Sequence, residues 1–287
     1  MAESSFGERL SVTVSARGSL CVGIDPHPFL LSSWGLPDSA EGLKAFGLAV
    51  VAAAAGRVGI VKPQVAFFER HGSRGFAALE NVLQAAREAG LLVIADAKRG
   101  DLGTSVEAYG QAWLTPGGPL EADAMTVNAY QGVDSLSDTI ALARHAGKGL
   151  FVLAATSNPE AAATQTARIV SGGRAGLSVA AGIVDEVIAL NSSDKTGWGS
   201  FGVVLGATVT AADYGISLDS LAGPSGTPIL APGFGHQGAA FAHIPTLYGA
   251  AAPFVLAATS RAVLSAGRDG IESAIERAAE ELAKCRA

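Results

Sequence analysis

The chain has 287 residues, of which 49% are hydrophobic and 16% are charged, and its formal net charge is −6. This composition supplies a large core and excludes an intrinsically disordered chain. The acidic balance and the lack of a basic run argue against a nucleic-acid partner, so an anionic ligand would need a local cluster of positive groups.

The cysteines and the hydropathy further narrow the class of protein to which the chain can belong. Cys21 and Cys285 lie near opposite ends of the chain and form neither a disulfide framework nor a CxxC metal motif. No apolar run reaches about 18 residues, and residues 1–20 carry charges in place of the apolar segment of a signal peptide. We therefore expect a cytoplasmic protein with no membrane segment.

Short apolar runs recur along the whole chain, each rich in Val, Ile, Leu or Phe. Runs of this length are typical of parallel strands that are buried on both faces. The eight predicted strands are Leu20–Ile24, Val58–Val61, Leu91–Ala95, Ala122–Val127, Leu150–Ala154, Phe201–Leu205, Pro228–Leu230 and Pro253–Ala257.

Apolar residues at offsets of three and four predict helices between these runs. The clearest patterns are Leu43–Ala53, Phe76–Ala86, Ala180–Val187 and Ile271–Leu282. Alternation of strand and helix predicts a (β/α)8 barrel, with residues 1–287 as a single catalytic domain. A doubly wound sheet is the alternative, but the chain has no dinucleotide-binding fingerprint. Pro26–Ser39 is expected to be rich in loops, and Thr208–Thr227 shows little helical periodicity.

Polar residues gather directly after the apolar runs. In a parallel barrel these points converge on the C-terminal mouth, where barrel enzymes carry out their chemistry. The residues are Asp25, Lys62, Asp96, Lys98, Asn128, Thr156, Ser157, the segment Pro232–Gly238, Ser260 and Arg261.

The densest group is the segment Asp96-Ala97-Lys98-Arg99-Gly100-Asp101. Residues two apart in an extended segment point to the same side, so Asp96 and Lys98 are expected to lie together. Such a pair can be purely structural, because buried charges are rarely unpaired. Lys62 on the neighbouring predicted strand and Asp101 add further alternating charges, which favours a functional cluster.

A second group is the glycine-rich segment Pro232–Gly238, followed after the next strand by Arg261. Glycine lets backbone N–H groups approach an anion, and the guanidinium fork fits phosphate oxygens. Loops after strands 7 and 8 are the usual phosphate site of these barrels. We interpret His236 as a loop residue rather than a general base, because no carboxylate nearby in sequence would orient it.

No spacing of His and carboxylates is typical of a metal site, so we expect no metal. His71 and His145 fall on helical stretches and are expected near the surface. Thr104 and Glu107 have the spacing of a capping box, with Thr104 as the N-cap of the next helix, and this structural role competes with a ligand role for Thr104 or Ser105.

Several of these segments together resemble the orotidine 5'-phosphate decarboxylases, in the longer bacterial subgroup found in mycobacteria and their relatives. The Asp96–Asp101 segment is similar to the DxKxxD signature of that family. The other similar segments are Cys21–Pro26, Val61–Glu69, Thr156–Pro159, Pro232–Gly238 and Ser260-Arg261.

The resemblance implies a (β/α)8 barrel that converts orotidine 5'-phosphate to UMP and CO2 without a cofactor, as the last step of UMP synthesis. Lys98 would protonate C6 of the pyrimidine beside Asp96. Asp101 would reach the partner's site in a homodimer, where Thr104 or Ser105 would also supply a hydroxyl. The remaining implied contacts are Asp25 and Lys62 to the ribose, Ser157 to the ring, and Gln237 and Arg261 to the phosphate.

Two alternatives stay open at the level of sequence. A Mg2+-dependent sugar-phosphate synthase or decarboxylase of the same superfamily shares DxKxxD, but it would carry an acidic ligand where this chain has Lys62. A non-catalytic nucleotide-binding barrel would keep the phosphate contacts and would not need the charged cluster.

Overall fold

The computed structural model describes residues 4–193, 197–236 and 238–285. Within these ranges eight parallel strands close into a barrel in sequence order, and the last strand pairs with the first. The strands are β1 (Leu20–Ile24), β2 (Ile60–Pro63), β3 (Leu92–Arg99), β4 (Ala124–Val127), β5 (Gly149–Ala155), β6 (Phe201–Leu205), β7 (Ile229–Pro232) and β8 (Val255–Thr259). The predicted (β/α)8 barrel is confirmed.

The apolar sides of the helices and the outward residues of the strands form the larger hydrophobic cluster. The helices are α1 (Phe6–Arg17), α2 (Pro28–Ser33), α3 (Ala40–Ala54), α4 (Val65–Glu69), α5 (Gly72–Glu88), α6 (Gly103–Leu114), α7 (Ser137–His145), α8 (Ala162–Gln165), α9 (Val179–Leu190), α10 (Leu218–Leu221), α11 (Ile244–Tyr248), α12 (Arg261–Leu264) and α13 (Gly267–Lys284). Short 3-10 turns lie at Val133–Leu136, Pro159–Ala161, Asn191–Ser193, Ala211–Tyr214, Phe241–His243 and Gly249–Phe254. In the described part of the chain, no helix has the length and apolar character needed to cross a membrane.

Several strands extend further toward the mouth than the apolar runs predicted. β2 ends at Pro63 and β3 at Arg99, so Lys62, Asp96 and Lys98 lie inside strands rather than after them. β7 and β8 likewise start and end later than predicted. Apolar runs mark burial, whereas a strand continues as long as its backbone pairs, even through charged residues.

The segment Pro26–Ser39, expected to be rich in loops, also contains the short helix α2, because a proline at the first helical position is well suited to start a helix. One prediction about a helix start is wrong. The Thr104–Glu107 capping box does not form. α6 begins at Gly103 with the extended residue Leu102 as its N-cap, so Thr104 is already helical and cannot cap, and Glu107 accepts from Gln111 instead.

Helix α1, which the periodicity did not predict, closes the N-terminal end of the barrel. Its Phe6 and Leu10 are fully buried in the smaller cluster that fills the barrel interior. The Phe6 ring meets Phe151 edge-on at 6.1 Å between centroids, and a Cβ on Gly149 would come within 2.3 Å of the Phe6 ring. Arg9 is also paired with Asp123, which directly precedes β4. With this end filled, the opposite mouth is left for a ligand.

Leu10→Ala should lower the free energy of unfolding by about 2–5 kcal/mol, because it leaves a cavity in the barrel interior. Val12→Ala on the same helix is the matched control, since Val12 is 70% exposed and its truncation should change stability by less than about 0.5 kcal/mol. Urea denaturation of both variants measures the difference. Equal, small effects would show that α1 does not seal the barrel.

Candidate active site

The C-terminal end of β3 has an unusual backbone. Its register with β4 shifts between Ala95 and Arg99, and Lys98 has a φ of +49°, the one positive φ on a non-glycine residue in the described ranges. Such a conformation costs about 1–3 kcal/mol and persists only when the surroundings impose it. Here the Lys98 N–H donates to Thr126 Oγ1 at 2.9 Å, which holds the distorted turn against β4.

The carboxylate of Asp96 binds two ammonium groups at once. Lys62 Nζ lies 2.7 Å from Oδ2, and Lys98 Nζ lies 2.6 Å from Oδ1. The Thr126 hydroxyl also donates to Oδ1 at 2.9 Å. Because Asp96 is only 8% exposed, these bonds replace the water that the carboxylate loses on burial.

The electrostatics of this cluster favour the ionised forms of Lys62 and Asp96. Burial alone would lower the pKa of Lys62, but the carboxylates of Asp96 and Asp25 outweigh it and raise that pKa above its usual value. Burial alone would raise the pKa of Asp96, but Lys62 and Lys98 hold it far below its usual range. Lys62 and Asp96 therefore form an ion pair at neutral pH.

The two lysines differ in their access to the pocket. The Lys62 side chain is 7% exposed, whereas that of Lys98 is 46% exposed. Lys62 is therefore a fixed buried charge, while Lys98 can present its ammonium group to a ligand and transfer a proton.

Two further side chains in the cluster had no role assigned from sequence. With its nitrogen turned toward Asp96, the Gln64 amide donates to Oδ2 and accepts from Lys98 Nζ at 3.2 Å. Thr126 joins Asp96 to the Lys98 backbone. The feature of the sequence that could have indicated Thr126 is its hydroxyl group within the otherwise apolar end of the run Ala122–Val127.

The other side of the mouth is suited to an anion. Gly233, Gly235 and Gly238 in the loop after β7 all have positive φ, from +80° to +118°. Arg261 starts α12 directly after β8, and its guanidinium forms no ion pair with any described carboxylate. A free guanidinium beside a glycine-rich loop can bind phosphate.

These elements surround one pocket with a volume of about 470 Å3 at the C-terminal mouth. Six of the ten residues predicted for the site line it. They are Asp25, Lys62, Asp96, Lys98, Ser157 and Arg261. Lining residues without a predicted role in the site include His27, Gln64, Phe67, Thr126 and Phe234. The described residues contain no group of three or more His, Cys, Asp or Glu side chains that could hold a metal ion.

Of the other four predicted residues, the three that the structure describes do not line this pocket. Asp101 follows β3, and its Oδ1 accepts from the Leu102 N–H at 2.9 Å. Thr104 and Ser105 are exposed on the first turn of α6. Gln237 lies outside the described residues.

Comparison with known proteins identifies the family. Residues 18–267 match the model of the orotidine 5'-phosphate decarboxylase / HUMPS family. The chain belongs to this family. It is 50% identical over 284 residues to an orotidine 5'-phosphate decarboxylase of Salinispora arenicola, covering 99% of this chain and 98% of the relative.

Solved structures agree with this assignment. A structure from Streptomyces avermitilis is 45% identical, with a TM-score of 0.92 and coverage of 99% of this chain and 97% of the other. The structure of Leishmania donovani OMP decarboxylase is 27% identical, with a TM-score of 0.75 over 98% of this chain and 99% of the other. The family fold therefore extends over nearly the whole chain.

The depressed pKa of Asp96 predicts an acid-sensitive contribution to stability. This contribution is present above the ordinary aspartate pKa of 3.8 and is lost as the pH falls toward the lower folded value. Asp96→Asn should therefore cost about 3–5 kcal/mol at neutral pH and flatten the fall in unfolding free energy below about pH 4. Asp219→Asn, at an exposed position, is the control. It should leave the fall in unfolding free energy below about pH 4 as it is in the wild type. An Asp96→Asn profile parallel to that of the wild type would contradict the ionised cluster.

Proposed function

We propose that this protein decarboxylates orotidine 5'-phosphate to UMP and CO2, with Lys98 as the proton donor. The observation that carries the proposal is the Asp96 carboxylate, which holds buried Lys62 on one oxygen and pocket-facing Lys98 on the other. Membership of the orotidine 5'-phosphate decarboxylase family and 50% identity to a relative of that name support the same substrate. The reaction completes UMP synthesis.

The reaction breaks the bond between C6 of the pyrimidine and its carboxylate. CO2 leaves, the electron pair stays on C6, and Lys98 Nζ transfers a proton to that carbon, after which the neutral amine regains a proton from water. Negative charge therefore develops where a preorganised ammonium group already lies, which lowers the barrier without reorganisation. Asp96 holds the Lys98 ammonium group in place and would lie beside the departing carboxylate.

The remaining barrier reduction must come from binding the rest of the substrate. Enzymes lower barriers by about 8–23 kcal/mol, more than one ammonium group supplies. In our proposal Arg261 and Gln237 bind the phosphate, Ser157 contacts the ring, and Asp25 with Lys62 binds the ribose hydroxyls. Asp25 Oδ1 supports the ribose contact, because it is buried and accepts no hydrogen bond from any described residue.

The proposed mechanism needs no metal or organic cofactor. The Mg2+-dependent alternative would place a divalent cation near Asp96, where the ammonium groups of Lys62 and Lys98 already lie within 2.7 Å of the carboxylate oxygens. A further cation there would be repelled. The non-catalytic alternative gives no reason for holding Lys98 in a strained conformation beside the pocket.

We further propose that the protein acts as a homodimer in the cytoplasm, where its charged nucleotide substrate is retained. Asp101, with Thr104 or Ser105, would reach the site of the partner subunit. Two large apolar side chains next to these segments support such a contact, since Leu102 is 60% and Tyr130 is 82% exposed.

Lys98→Ala should abolish nearly all turnover while the protein still folds, because it removes the proton donor but no buried group. The measurement is the ultraviolet absorbance change as orotidine 5'-phosphate becomes UMP, run with and without EDTA. Lys44→Ala, an exposed change on α3, should retain full activity. Near wild-type turnover by Lys98→Ala would refute the proton donor, and loss of wild-type activity in EDTA would favour the metal-dependent alternative.

Mixing subunits tests the role of Asp101. Lys98→Ala and Asp101→Asn should each be inactive alone, but hybrid dimers contain one site with both native residues, so random mixing should restore about a quarter of wild-type activity. Mixing Lys98→Ala with Asp96→Asn should restore none, because both residues belong to the same subunit's site. Absence of recovery in the first mixture would contradict a shared site.

A further inference from the structure

His27 lies at the rim of the pocket between the two groups that we assign to the ribose and the phosphate. It comes two residues after Asp25, at the start of the loop that follows β1. β1 pairs with β8 on one side and with β2 on the other. The loop carrying His27 therefore lies next to Arg261, which follows β8, and its side chain lines the same pocket.

Two phenyl rings fix the orientation of the imidazole. Phe29 stacks on it at 5.2 Å between centroids, with an interplanar angle of 30°. Phe67, from α4 after β2, packs against it at 4.2 Å with an angle of 59°. Packing of this kind covers the apolar surface of the ring and leaves its nitrogen-bearing edge available. The described residues make no hydrogen bond to either ring nitrogen of His27.

The surroundings of His27 favour a neutral imidazole. Burial lowers its pKa, Asp25 opposes this effect, and the Arg261 guanidinium lowers the pKa further. A neutral imidazole always carries one N–H donor, and this donor can serve an anion without the cost of burying another cation beside Arg261.

We propose that His27 is a substrate-binding residue that donates a hydrogen bond to the 5'-phosphate, beside Arg261. The inference rests on the proposed function and extends it, since no role for His27 was predicted from the sequence. Its position between Asp25 and Arg261 corresponds to the junction of the ribose and its phosphate. A hydrogen bond to a charged group also explains why the packed ring carries nitrogen rather than being a third phenylalanine.

The test separates the hydrogen bond from the packing. His27→Phe keeps an aromatic ring between Phe29 and Phe67 but removes the donor, so kcat/KM for orotidine 5'-phosphate should fall by about 10- to 100-fold. His27→Gln and His27→Asn place an amide donor near one or the other ring nitrogen, and at least one should recover part of the loss. A merely structural role predicts the reverse order, with His27→Phe close to wild type.

Orotidine, which lacks the phosphate, identifies the group that is contacted. With orotidine, His27→Phe and Arg261→Ala should both match the wild-type kcat/KM, because neither variant has a phosphate contact left to lose. A His27→Phe defect of the same size on orotidine would place the contact elsewhere and overturn the inference. Wild-type turnover of orotidine 5'-phosphate tests the proposed function separately, because its absence would reject decarboxylation. If the wild type turns over orotidine 5'-phosphate and His27→Phe does so equally well, only the role of His27 is rejected.

Discussion

The arrangement of the site depends on one buried carboxylate. Asp96 is a stable anion within the barrel only because two ammonium groups and a hydroxyl bind it. In turn, the carboxylate fixes the Lys98 ammonium group at a defined place in the pocket. Lys62 contributes to this placement because it lies close to both Asp96 and Asp25. Without it, Lys98 would be left as the one ammonium group of the cluster to balance both carboxylates. In our proposal, the ion cluster serves to place a proton donor in the pocket.

The barrel makes this arrangement rigid. α1 fills the N-terminal end, so the strands around the cluster are packed on both faces and cannot relax easily. The positive φ of Lys98 is tolerated because Thr126 on the next strand accepts its N–H. Local strain on β3 is therefore offset by packing and hydrogen bonds elsewhere, as expected where geometry serves function.

Sequence reasoning predicted the parts of this structure that depend on burial and chain order. The barrel, the convergence of Asp25, Lys62, Asp96 and Lys98, and the position of Arg261 all follow from polar residues at the ends of buried runs. The failures have different causes. Strand ends are set by backbone pairing, which apolar runs do not report, and the N-cap of α6 was decided by the extended backbone of Leu102 rather than by a hydroxyl. The aromatic contacts that orient His27 come from three separate elements, so no local pattern could reveal them.

In our proposal, a nucleotide in the pocket has C6 at the Lys98 ammonium group and its phosphate at Arg261. A crystal structure of the protein with bound UMP tests this most directly. We expect Lys98 Nζ within roughly 3.5 Å of C6, close to the separation of reacting atoms in a near-attack arrangement. The phosphate should lie against Arg261 and the ribose hydroxyls against Asp25. A nucleotide bound with C6 far from Lys98, or with its phosphate at the Asp96 cluster, would contradict the account.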